Sequence, residues 1–168
     1  MTNYIRVINP AYWPDEDEIN NGIDINNLGA NTITQELRTK DNTLSLWAVD
    51  DPQDVVLAMI SNASRIDDMY TLKIDDHILS NSNLEVVNES ANSRIKDLND
   101  FHYNIKNLTY KKLADVSTVI IEALKKEENL EIFTKNDIIK ILKNAITNGR
   151  LTMKSLPKNI RQEIEKAV

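Results

Sequence analysis

Cysteine is absent from the 168 residues, and glycine, proline and histidine are scarce, with three, four and two copies. Each shortage closes a line of chemistry. Without cysteine there is no disulfide, no thiol nucleophile and no cysteine-based zinc site. Gly22, Gly29 and Gly149 are scattered, so no glycine-rich phosphate loop is built, and no G-x-S-x-G nucleophile elbow occurs. So little glycine and proline also leaves no long flexible linker. No apolar run approaches the roughly 18 residues of a membrane span. The N-terminal MTNYIRVINP lacks the basic region and apolar core of a signal peptide. These features predict a cytoplasmic chain with no cofactor, no metal and no membrane contact. No motif specifies a reaction, so a non-enzymatic role is the expectation.

What is present is ordinary in amount and uneven in distribution. Apolar residues make up 41% of the chain and charged residues 27%, enough for a core beneath a charged surface. Residues 1–100 hold 7 Lys and Arg against 18 Asp and Glu, a net −11, whereas residues 101–168 hold 13 against 8, a net +5. Texture changes at the same point, from short apolar runs among Asn and Asp to long amphipathic segments. The expected class is therefore α+β. An acidic domain over 1–100 would carry a small mixed sheet of three or four strands and one or two helices. A basic appendage over 101–168 would form a bundle of about three helices.

Periodicity places the elements. Tyr4–Ile8, Leu44–Val49 and Met69–Ile74 have strand composition, with Tyr70, Leu72 and Ile74 on one side of the last. Apolar residues on both sides of Leu44–Val49 mark an interior strand. Leu84–Val87 is a weaker, edge-like candidate. A short helix is expected over Asn31–Leu37. A better one starts at Asp51, which can cap it, with Pro52 at the first helical position and Asp54 in the first turn. Strand, helix and strand then predict a parallel β-α-β crossover. Beyond residue 100, Leu108–Glu127 carries an apolar stripe. Thr134 and Asp137 match a capping box before a helix that Gly149 closes. A last helix carries Ile160, Ile164 and Val168.

Four groups of residues are candidates for function. His77 follows Asp75 and Asp76, and His102 follows Asp100. An Asp-His pair can act as a general base or as metal ligands, although solvated histidines are the simpler expectation in an Asp-rich chain. The segment TQELRTKDNTLSLW surrounds Arg38 with polar groups. Arg38 can pair with a carboxylate of the fold or clamp an anion, and structural pairing is the preferred reading. Lys135, Lys140, Lys143, Arg150, Lys154 and Lys158 form a basic cluster suited to nucleic acid. Its small excess charge and lack of aromatic platforms argue instead for a solvated face, or one that docks on the acidic half.

The fourth group is INPAYWPDEDEIN. Pro14 and the acids behind it match a helix start, and Asn20-Asn21-Gly22 ends it within two turns. Tyr12 and Trp13 then either fold back over the sheet or anchor an interface, with Asp15, Glu16, Asp17 and Glu18 steering a basic partner. The function expected on these grounds is a protein-binding module, an inhibitor, an immunity- or antitoxin-like protein or an accessory subunit. Its acidic face, with Asp24, Asp50 and Asp51 added, would engage a basic protein.

Overall fold

Alternating apolar residues build the centre of one sheet. In the computed structural model, which describes residues 3–167, the strands are β1 (Asn3–Ile8), β2 (Leu44–Trp47), β3 (Met69–Asp75), β4 (Glu85–Asn88), β5 (His102–Lys106) and β6 (Leu130–Phe133). Their order is β4-β5-β2-β1-β3-β6, and every neighbouring pair is antiparallel. The fold is thus α+β. Helices α1 (Glu16–Asn20), α2 (Pro52–Ile60), α3 (Asp76–Ser80), α4 (Tyr110–Leu124), α5 (Lys135–Thr147) and α6 (Lys158–Lys166) complete it.

Two cores lie on opposite sides of the sheet. Ile5, Trp47 and Phe133 face a layer made by α2, α5 and α6, with Val56, Ile138, Leu142 and Ile160 at its centre. Leu46, Leu72, Ile74 and Ile105 face α4, whose Val116 and Ile120 are buried against them together with Trp13 and Ile19. The period-2 alternation of each strand sends successive residues to different layers. An antiparallel sheet covered on both faces explains why Leu44–Trp47 reads apolar on both sides.

Several local expectations agree with the structure. Asp51 caps α2 by accepting from the Gln53 N–H at 2.9 Å. Thr134 and Asp137 form a capping box for α5, and Gly149 follows that helix at φ +74°. Residues Thr32–Glu36 make a single π-helical turn rather than an α-helix. Ile160 and Ile164 are buried on α6, while Val168 lies outside the described residues.

The larger plan needs correction. The sheet has six strands, not three or four, and two of them come from beyond residue 100. β5 lies inside the sheet between β4 and β2, pairing Trp47 with His102 and Leu44 with Ile105. A boundary at residue 100 would cut through this ladder. Nor do the three C-terminal helices form a bundle, because the sheet separates α4 from α5 and α6. The expected crossover is half right. β2 and β3 run parallel to each other, each being antiparallel to β1, but β1 occupies the place between them.

The halves are also clamped by charge. Arg150, after α5, donates to Asp54 of α2 at 2.8 Å and to Asp97 at 2.8 and 3.1 Å. These bonds hold the guanidinium above its usual pKa, with Asp54 contributing most. The group is about one third exposed, so solvent screens much of the attraction. Arg150→Ala is expected to cost about 1 kcal/mol, read as a lower urea midpoint with an unchanged m-value. An unchanged midpoint would mean the clamp is idle.

Candidate functional site

The end of β1 begins the acidic segment. Asp15 accepts from the Glu18 N–H at 2.8 Å and Glu18 accepts from the Asp15 N–H at 3.1 Å, a reciprocal capping box for α1. The run of acids is therefore a short helix start, and Ile19 is its one buried residue. Trp13 is only 7% exposed and belongs to the core facing α4. The alternative in which Trp13 is an exposed anchor is corrected by this burial, and Tyr12 is half-buried beside it.

Around Trp13 the chain closes on itself. Thr32, buried, donates its hydroxyl to the Tyr12 carbonyl. Glu36 accepts from the Asn9 N–H at 3.0 Å, and Arg6 donates to the carbonyls of Glu36 and Ser45 at 3.2 and 3.0 Å. Burial raises the Glu36 pKa, partly offset by the Asn9 N–H, by Arg6 and by the Trp13 indole N–H. That N–H lies near the carboxylate without reaching ordinary hydrogen-bond geometry.

What this segment presents outward is acid. Residues 9–37 contain no Lys or Arg, and of their six carboxylates five are exposed, Glu36 being turned inward. Among the described residues, Asp15, Glu16, Asp17, Glu18 and Asp24 form no ion pair. Asp50 and Asp51 do not join them. They follow the C-terminal end of β2, which is antiparallel to β1, and so lie toward the opposite end of the sheet.

Topology brings an unexpected residue to the acidic end. β5 descends in the same direction as β1, so α4 starts where β1 ends. Tyr110, the first residue of α4, is 90% exposed. It lines a cavity of about 410 Å³ with Ile25, Leu28, Ile33, Lys111 and Leu113. Sequence reasoning passed over Tyr110, because a tyrosine opening an amphipathic helix carries no periodic signal.

The basic cluster is largely committed within the chain. Lys135 pairs with Glu163, Lys140 with Asp137 at 3.3 Å, and Arg150 with Asp54 and Asp97. Lys143 donates to the Ala167 carbonyl at 3.1 Å. Only Lys154 and Lys158 of the six make no side-chain hydrogen bond or ion pair among the described residues.

The two histidines part company. His77 lines a cavity between α3 and α4 with Asp115, Glu122 and Lys126. There Lys126 pairs with Asp75 at 2.6 Å and lowers that carboxyl's pKa. His102 is buried in β5 and donates from Nδ1 to the Glu89 carbonyl at 2.7 Å, since a carbonyl can only accept. It shares a separate cavity with Arg38. A single site joining both histidines to Arg38 is therefore not formed, and Asp76 lies on α3, on the His77 side. Asp100 accepts instead from the Ser90 hydroxyl at 3.2 Å. Among the described residues no three His, Asp or Glu converge as metal ligands would, and no helix is long and apolar enough to cross a membrane.

Comparison with protein-family models, with curated proteins and with solved structures finds no match. The class that can be stated is that of an α+β chain with one antiparallel sheet between two helical layers.

Proposed function

We propose that the protein is a binding module that docks a basic protein partner on the surface made by residues 9–37 and the first turn of α4. It would act as an inhibitor, an immunity- or antitoxin-like protein, or an accessory subunit. The observation that carries the reading is the coincidence of two features at one end of the sheet. One is a segment with five exposed carboxylates and no cation of its own. The other is Tyr110, which stands exposed beside a cavity lined by Ile25, Leu28 and Ile33.

Binding sites of this kind use an aromatic anchor inside a pocket and charge at the rim. The rim carboxylates raise the rate of encounter with a cationic surface, and the anchor sets the lifetime of the complex. Asp15, Glu16 and Asp17 take the first role. Tyr110 takes the anchoring role that one reading of the sequence offered to Tyr12 and Trp13. Lys111 and Lys112, which follow Tyr110, add two cations at the edge of this surface.

Cross-linking in native extract, followed by mass spectrometry, tests the proposal. A basic protein is expected to be captured through residues 15–28 and the start of α4. Its yield should fall at least tenfold with Asp15→Ser/Glu16→Ser/Asp17→Ser and with Tyr110→Ala, and should fall as salt rises. Equal capture by wild type and variants, or cross-links confined to other surfaces, would contradict it.

A further inference from the structure

The cavity shared by Arg38 and His102 lies on the other side of the sheet from Tyr110 and the docking surface. We infer that it binds a small organic anion, with its oxyanion head held by Arg38 and Lys40 and its apolar part against Trp47 and Met59.

The first ground is where the chain spends its cations. Residues 1–100 hold only seven Lys and Arg against 18 acids. Three of the seven, Arg6, Arg38 and Lys40, line this one cavity, with a single carboxylate, Asp41, at its wall. Arg38 and Lys40 form no ion pair or side-chain hydrogen bond among the described residues, so their charge is not consumed by the fold. Arg6 has a different task. β1 and β2 pair only at Ile5 and Trp47, and beyond that point the Arg6 guanidinium fills the split and holds the Ser45 carbonyl. Its Nε is buried without a partner.

The second ground is the floor. β2 and β5 pair Ser45 with Asn104 and Trp47 with His102, which sets these four side chains side by side on one face. Trp47 and His102 meet edge to face with centroids 4.9 Å apart. Nδ1 of His102 is committed as a donor to the Glu89 carbonyl, so Nε2 of the neutral ring is an acceptor that takes an N–H or O–H of a ligand. The Glu89 carboxylate nearby accepts from Lys106 and Asn104, which lower its pKa and keep it ionised, and the Lys106 ammonium balances its charge.

The third ground is the turn that carries the cations. Lys40 and Thr43 bridge around Asp41 and Asn42, both left-handed at φ +54° and +58°. Two such residues in succession make the tight turn that a two-residue hairpin loop requires. It sets Lys40, Asp41 and Thr43 along the cavity wall. A cavity of about 440 Å³, walled also by Val7, Trp47 and Met59, exceeds what an inorganic anion needs. It matches the size and mixed lining of small-molecule sites.

Calorimetric titration of the full chain with phenyl phosphate and with benzoate tests this, with tryptophan fluorescence as a second readout. Saturable binding of at least one probe is expected, and which one binds identifies the head group as phosphate or carboxylate. Arg38→Ala/Lys40→Ala, on an exposed turn, should weaken it at least tenfold. Ser45→Asp, which places a carboxylate in the floor, should abolish it without changing the melting curve. Lys154→Ala/Lys158→Ala, which removes two cations elsewhere, should leave it unchanged. The inference is overturned if neither probe saturates, or if binding survives Arg38→Ala/Lys40→Ala.

Discussion

Trp13→Ala is expected to lower the stability of the chain by about 3–5 kcal/mol, the usual cost of emptying a large buried aromatic site. The indole is buried against α4, and the surrounding closures, Thr32 on the Tyr12 carbonyl and Asn9 on Glu36, fix the backbone on both sides of it. The neighbourhood cannot collapse cheaply into the void. Domains of this size are stable by only about 5–15 kcal/mol, so the loss is a large share of the total. A urea titration should show a clear fall in midpoint. A change of less than about 1 kcal/mol, the range of ordinary surface substitutions, would mean that Trp13 is exposed and free to serve as an anchor.

The second large effect concerns chain division. A fragment of residues 1–100 lacks β5 and β6. It therefore loses the neighbour of β2 on one side and of β3 on the other, and β4 has nothing to pair with. It also loses α4, leaving Leu46, Leu72 and Ile74 with no opposing layer. The fragment is expected to show no cooperative unfolding transition by circular dichroism. The same holds for residues 101–168, whose α4 and α5 would expose apolar stripes that the sheet normally separates. Mixing the two fragments should restore the transition. Independent cooperative melting of either one would show that the halves are separate domains.

Local elements were legible in the sequence wherever a short-range rule governed them. The Asp51 cap, the Thr134 and Asp137 box, and the alternation of Tyr70, Leu72 and Ile74 are decided by residues within one turn or one strand. β5 and β6 were not legible. In HYNIK only Tyr103 and Ile105 are apolar at strand spacing, because His102 and Asn104 face a cavity rather than a helix. LEIF is four residues long, and its Ile132 is exposed. The strength of such strands lies in their partners across the sheet, which no local window contains. That is also why the helices after residue 100 looked like a bundle. An amphipathic stripe shows that a helix is covered, but not by what.

The candidate sites divide in the same way. The acidic run and the polar segment around Arg38 stood out by composition alone. Arg6, Tyr110 and the pairing of His102 with Trp47 did not, because each gains its position from a strand or turn distant in sequence. The charge split between the halves was correct as arithmetic and incomplete as geometry. Lys126, Lys135, Lys140 and Arg150 are bound to carboxylates of the same chain. Among the described residues Asp15, Glu16, Asp17, Glu18 and Asp24, after β1, form no ion pair.

The most direct test of the docking surface needs no knowledge of the partner. The ¹⁵N-labelled protein is titrated with a lysine-rich peptide at low salt, and amide shifts are mapped by heteronuclear correlation spectroscopy. The account expects the perturbations to concentrate on Asp15–Glu18, on Asp24–Leu28 and at Tyr110, and to vanish as salt is raised. Shifts spread evenly over the surface, or centred on Asp50 and Asp51 at the far end of the sheet, would contradict it.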